Sequence, residues 1–215
     1  MKNYVITILE NSKSVAAADR CVKSALYCGL EVEKYSAVTP QNTKIYDVLY
    51  EQRISSNGFK EVYSRLDNCI AAFLSHYSLW KKCVELKEEV TIFEHDAVVT
   101  NTIPEFINYK HCISFGKPSY GKFNIPADIG VNPLTSKKYF PGAHAYRVKP
   151  PGAAMLIARA KIAAKPTDVF LNLDNFPWLQ EYYPWPVEVR DTFTTIQNEA
   201  GCLAKHNYGK NYEII

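Results

Sequence analysis

Tyr4-Val5-Ile6-Thr7-Ile8-Leu9 is an unbroken β-rich run near the start of the chain. A run without polar alternation suits a strand covered on both faces. Glu10-Asn11-Ser12-Lys13-Ser14 follows as a polar turn with capping serines. Val15, Ala18, Val22, Ala25 and Leu26 then recur at helical spacing, and Gly29 stands where a helix C-cap belongs. Glu31 to Val38 reads as a second strand. Strand, helix, strand at this spacing is a βαβ unit, which requires parallel pairing. The fold class is therefore α/β, with a mainly parallel central sheet flanked by helices.

Further along, residues 40–66 are polar and irregular, with Asn57-Gly58 as a turn signal. Ile70, Phe73, Leu74, Tyr77, Trp80 and Val84 form the apolar stripe of a long helix that Asp67 or Asn68 can cap. It leads into Val90-Thr91-Ile92-Phe93, a short buried strand, and then into Glu94-His95-Asp96. His111 to Phe115 and Ala143 to Val148 read as strands, and Pro150-Pro151-Gly152 opens a helix to about Ala164. Asp168-Val169-Phe170-Leu171 reads as one more short strand. Between them, residues 116–142 hold four glycines and four prolines. A stretch of that length without regular structure predicts a long flexible loop: a lid, a binding loop or a disordered segment. Residues 205–215 read as a polar tail.

The 215 residues suit one domain, 1–215, and a 47% hydrophobic content excludes a disordered chain or a collagen-like fibre. Lysine and arginine number 25 against 22 acidic residues, a net charge of +3. That balance permits contact with phosphates without demanding a nucleic-acid partner. The six cysteines are scattered and form no Cys-x-x-Cys pair, which disfavours a zinc ribbon or a redox motif. No stretch has the apolar length of a membrane span or the pattern of a signal peptide, so the expectation is a cytoplasmic protein with reduced thiols. A Gly-x-Gly-x-x-Gly after the first strand, a phosphate loop and a Gly-x-Ser-x-Gly elbow are all missing, which disfavours a Rossmann dehydrogenase, a P-loop kinase and a serine hydrolase.

Ligands of open α/β sheets bind beyond the carboxyl ends of the strands, and Glu94-His95-Asp96 stands at such an end. Two carboxylates one residue apart in a turn can reach one hard divalent cation, Mg²⁺ or Mn²⁺, which shares its remaining positions with a substrate diphosphate. The plainer reading of such a tripeptide is a solvated turn.

Leu74-Ser75-His76-Tyr77-Ser78-Leu79-Trp80-Lys81-Lys82, followed by Val90-Thr91-Ile92-Phe93-Glu94-His95-Asp96-Ala97-Val98, resembles the signature of glycosyltransferase family 25, the lipopolysaccharide- and collagen-type sugar transferases. The resemblance continues at Ala37-Val38, Gly142-Ala143-His144-Ala145-Tyr146, Gly152-Ala153-Ala154 and Pro166-Thr167-Asp168-Val169-Phe170-Leu171. It implies a GT-A-like fold, a nucleotide-sugar donor, a divalent metal at the acidic motif and inversion at the anomeric carbon. Carried onto this chain, Glu94 and Asp96 match the outer positions of the metal and diphosphate motif. Asp168 matches a late aspartate and is the candidate base, with Asp174 as its competitor. The turn after the first strand lies near the implied nucleotide site, with Ile8, Glu10 and Arg20 as its candidate residues. His76, His95 and His144 complete the candidate donor-binding set.

Two features depart from the family pattern. The centre of the acidic motif is His95 instead of aspartate, which either lowers the charge offered to a metal, adds a nitrogen ligand suited to Mn²⁺, or marks a dispensable metal. The turn Glu10–Ser14 also lacks the family's basic Asp-Arg character. Each histidine has a plainer reading too: His76 as a satisfied boundary residue, His144 as a structural hydrogen-bonding residue, and His206, which could close over a metal late in the chain, as an unengaged tail residue. Trp80 reads as core, and Trp178, Tyr182, Tyr183 and Trp185 as packing before a sugar platform. Lys137-Lys138, Lys205 and Lys210 read as solvated charge before phosphate contacts. The acceptor implied is a surface glycan such as a lipopolysaccharide core. A hydroxymethylated base in DNA is the alternative, and an inactive binding module that keeps the fold is the second.

Overall fold

The opening run forms β1 (Lys2–Thr7), in which Tyr4, Val5, Ile6 and Thr7 are all buried. The computed structural model describes residues 1–59, 64–190 and 193–197, together with the backbone of 213–214. The chain continues through α1 (Ser12–Tyr27), β2 (Glu33–Ser36), α2 (Ile45–Gln52), a short 3₁₀ turn (Ser56–Phe59) and α3 (Leu66–Leu86). Next come β3 (Val90–Glu94), β4 (Ala97–Val99), β5 (Cys112–Ser114), β6 (Gly130–Pro133) and β7 (Ala145–Val148). The remainder comprises α4 (Pro150–Ala163), α5 (Thr167–Phe170), β8 (Gln180–Tyr183), β9 (Val187–Val189), and two-residue strands β10 (Phe193–Thr194) and β11 (Glu213–Ile214).

Seven strands make one mixed central sheet in the order β2-β1-β3-β7-β5-β8-β6. β1 is parallel to both β2 and β3, so the half nearest the N-terminus is the predicted parallel unit. β7 runs antiparallel between β3 and β5, and β6 runs antiparallel to β8. Alternation along β1 sends Tyr4 and Ile6 to one face and Val5 to the other. α3 and α4 cover the first face with Phe73, Leu74, Trp80, Ala153, Leu156 and Ala160. α1 covers the second with Ala18, Cys21 and Ala25. Full burial of a side chain such as Leu74 or Ile92 contributes about 1.5–3 kcal/mol, so these two layers carry the fold.

Several local expectations change. The α1 N-cap is Asn11, whose side chain accepts from the Lys13 and Ser14 N–H groups, so the cap is an asparagine and not a serine. α3 starts at Leu66 without a side-chain cap, and Asp67 stands in its first turn instead. The irregular stretch 40–66 contains α2, which buries only Ile45 and Leu49 and so shows a weak stripe. Asp168–Leu171 belongs to the helical turn α5 and its exit, not to a strand; four residues are too few for periodicity to separate the two.

The stretch 116–142 is stitched down along its length. Gly116 bridges to Val187, β6 joins the sheet edge, and Tyr139 bridges to Asn172. Buried Glu181 accepts from the backbone N–H groups of Thr135 and Ser136, both at 2.7 Å. Its glycines and prolines mask the anchors Leu134 and Phe140, which are buried. Among the described residues, Cys21, Cys28, Cys69, Cys83 and Cys112 form no disulfide with one another. Cys202, Lys205, His206 and Lys210 lie outside the described residues. Among the described residues, no helix is long and apolar enough to cross a membrane.

Candidate functional site

A cavity of about 730 Å³ opens where the parallel strands end. Ile8 and Glu10 enter it from the end of β1, and Ala37, Val38 and Thr39 from the end of β2. Glu94, the last residue of β3, lines it with His95 and Asp96 of the turn into β4. Arg65 contributes from the N-cap of α3, Ser75 and His76 from α3 itself, and Thr167 and Asp168 from α5. The strand-end rule thus places the acidic motif at the ligand cavity.

The α3 residues hold this arrangement together. Ser75 Oγ accepts from the Val38 N–H at 2.9 Å, fixing the exit of β2 against the helix. His76 is 2% exposed, with Nδ1 2.9 Å from the Tyr146 hydroxyl and Nε2 3.2 Å from Glu94 Oε1. Trp80 Nε1 donates to the same Tyr146 oxygen at 2.8 Å. Burial pushes the His76 imidazole down to about 3 against the opposing charge of Asp168, so the ring is neutral at physiological pH.

His95 has a different neighbour. Its Nδ1 lies 3.0 Å from Ser14 Oγ, which accepts from the Ile8 N–H at 2.9 Å. The imidazole also packs against the Phe193 ring at 5.3 Å. Ser14 thereby ties the start of α1, the end of β1 and the acidic turn into one unit.

Asp168 accepts at Oδ2 from the Tyr120 hydroxyl at 2.7 Å and at Oδ1 from the Val169 N–H at 2.8 Å. Burial raises its carboxyl above the ordinary aspartate value, opposed by those two bonds and by the Gly142 backbone. Lys137 sits over the Tyr120 ring at 4.9 Å and the Tyr139 ring at 5.5 Å, so its charge is spent on aromatic faces.

Three candidates fall outside the cavity lining. Arg20 donates through Nη2 to the Arg190 carbonyl at 2.9 Å and braces that backbone instead. His144 is 2% exposed beneath the cavity, packed between Gly116 and Gly142, and burial lowers it to about 4. Asp174 is exposed on the loop after α5. Trp185 packs on Phe123 and Tyr183 and donates to Glu181, and Trp80 is core, as their plainer readings expect. The sequence reading missed Ser14, Tyr120 and Tyr146. Tyr146 was visible only as part of a motif, and Tyr120 was hidden in the irregular stretch.

The charge balance of the cavity constrains its ligand. Glu10, Glu94, Asp96 and Asp168 line it, and among the described lining residues Arg65 is the only lysine or arginine. No group of three or more histidine, cysteine or acidic side chains able to hold a metal exists among the described residues. Glu94 and Asp96 both line the cavity, one residue apart along the chain.

The fold and cavity define an α/β protein with an acidic cavity at the carboxyl ends of parallel strands. Residues 1–117 match the model of glycosyltransferase family 25 (LPS biosynthesis protein), over half of the chain, and the chain belongs to that family of glycosyltransferases. The match spans Ile8, Glu10, His76 and the Glu94–Asp96 turn. In a comparison with curated proteins nothing matched the chain.

Proposed function

We propose that this protein is a GT-A-like, inverting, cytoplasmic enzyme that moves a hexose or pentose from a nucleotide-sugar donor to a hydroxyl of a surface glycan of the lipopolysaccharide-core kind. One observation carries the reading: Glu94, Asp96 and Asp168 line a single cavity whose described lining holds one arginine and no lysine. A diphosphate entering such an acidic site needs compensating positive charge.

Glu94 and Asp96 would hold a divalent cation, Mn²⁺ or Mg²⁺, which when bound supplies the charge that a departing diphosphate requires. Ile8, Glu10 and the Ala37–Thr39 turn flank the nucleoside. Asp168 is the base. Its carboxylate takes the proton of the acceptor hydroxyl as the acceptor oxygen bonds to the anomeric carbon and the bond from that carbon to the diphosphate oxygen breaks. The raised pKa of Asp168 suits a base in a desolvated wall, whereas exposed Asp174 does not line the cavity. Four carboxylates around the opening disfavour a DNA acceptor, whose phosphates they repel.

The test is donor hydrolysis over a panel of nucleotide sugars, with Mn²⁺ or with EDTA. Wild type is expected to cleave one donor in Mn²⁺, with the rate lost in EDTA and in Asp96→Asn. Silence across the whole panel would overturn the enzymatic reading in favour of a binding module. For the acceptor, affinity for duplex DNA is measured against salt; a steep salt slope would restore the DNA reading.

A further inference from the structure

His76 and Trp80 are one helical turn apart on α3, and both reach Tyr146 of β7, while His76 also reaches Glu94 of β3. We propose that His76 is the positioning residue of Glu94: Trp80 and Tyr146 lock its imidazole as the Nε2–H tautomer, and that N–H holds the Glu94 carboxylate in place. The proposal rests on the reading of Glu94 as a residue of the diphosphate site.

The proton order follows from the two ends of the chain. An indole N–H only donates, so the Tyr146 oxygen accepts from Trp80 at 2.8 Å. The Tyr146 hydrogen then needs an acceptor, and His76 Nδ1 stands 2.9 Å away. At the other end an ionised carboxylate only accepts, so His76 Nε2 carries the hydrogen toward Glu94 Oε1 at 3.2 Å. A neutral imidazole has one donor and one acceptor nitrogen, and both ends demand the same assignment. The ring is 2% exposed, held between the Tyr146 hydroxyl and the Glu94 carboxylate. Packing of α3 on the sheet is thereby converted into a fixed direction for one carboxylate at the cavity wall.

Two measurements test this. In the first, ring-labelled protein gives a long-range proton–nitrogen spectrum near neutral pH. His76 is expected to show a protonated Nε2 and a bare Nδ1, a form that Glu94→Ala leaves in place through Tyr146, while Tyr146→Phe combined with Glu94→Ala is expected to release both tautomers. An Nδ1–H ring, an imidazolium, or a spectrum unmoved by the double change overturns the proposal. In the second, calorimetry follows the binding of UDP, GDP, ADP and CDP, each with Mn²⁺. His76→Gln keeps an N–H at the ε position and should stay within about threefold of wild type, whereas His76→Asn, which reaches only toward Tyr146, should lose roughly 10-fold or more. Equal affinity in wild type and both folded variants also overturns it. Should wild type bind none of the four nucleotides, the donor reading falls, and the nitrogen spectrum alone decides the proton order.

Discussion

The Tyr120 hydroxyl donates to Oδ2 of Asp168 across 2.7 Å, although the two residues are 48 positions apart in the chain. Burial raises the Asp168 carboxyl, and Tyr120 is the first of the bonds that oppose the rise. Removing that hydrogen bond therefore lets the pKa climb further. A base works in its deprotonated form, so Tyr120→Phe is expected to move the acid limb of the kcat/KM profile to higher pH. A limb that stays put, or moves down, would show that Asp168 is not the group being titrated.

How much of this was legible in the sequence follows from where each signal is stored. β1, α1, β3 and α3 announce themselves because each carries its own period or apolar run, with Tyr4–Leu9 and the Ile70–Val84 stripe as the clearest cases. The Glu94–Asp96 turn is legible because it abuts such a run, and the strand-end rule then places it at the cavity. Tyr120 is not legible, because its partner is brought near only by the folding of a Gly/Pro-punctuated stretch. Ser14 reads as a cap residue from sequence, yet its hydroxyl accepts from Ile8 and meets His95 81 positions away. Arg20 misleads for the converse reason: closeness in sequence to the first turn suggests a phosphate ligand, while the helix directs it to the Arg190 carbonyl.

The Ser14 contact bears on the metal question. One ring nitrogen of His95 already faces Ser14 Oγ at 3.0 Å, and the ring rests on Phe193. His95 is therefore expected to brace the turn, with Glu94 and Asp96 as the ligands. Replacing it by asparagine, whose amide can still meet Ser14, should leave the Mn²⁺ activation constant close to wild type. Asp96→Asn should weaken activation by at least about 10-fold. A titration of activity with Mn²⁺ after EDTA treatment reads both, and a large loss in His95→Asn would make that histidine a ligand after all.

Gly116 is required by space. A Cβ there would lie 2.4 Å from His144 Nε2 and 2.7 Å from Cε1, inside a buried ring with little room to retreat. Gly116→Ala should cost about 1–3 kcal/mol as overpacking. For a chain of this size that is a fall in Tm of roughly 2–12 °C. The same alanine placed in a His144→Ala background should cost much less, because the ring it strikes is gone. Equal losses in the two backgrounds would mean that the clash is not the cause.

Buried histidines also set the response of the fold to acid. Burial holds His144 at about 4 and His76 at about 3, while an unfolded histidine titrates near its ordinary value of about 6.5. Between those limits the unfolded chain binds protons that the folded chain refuses, so stability falls as pH drops below about 6.5. Each such proton is worth about 1.4 kcal/mol per pH unit. Asp168 acts in the opposite sense: its raised folded pKa means that the native state takes up a proton first, which offsets part of the loss as the acid range deepens. The expected net slope near pH 5 from these three groups is one to two protons, about 1.4–2.7 kcal/mol per pH unit. Urea unfolding followed from pH 7.5 to 4.5 measures that slope directly. His144→Gln removes one titrating group, and its slope should be shallower by about one proton; a variant as acid-sensitive as wild type would show that His144 is already protonated in the native fold.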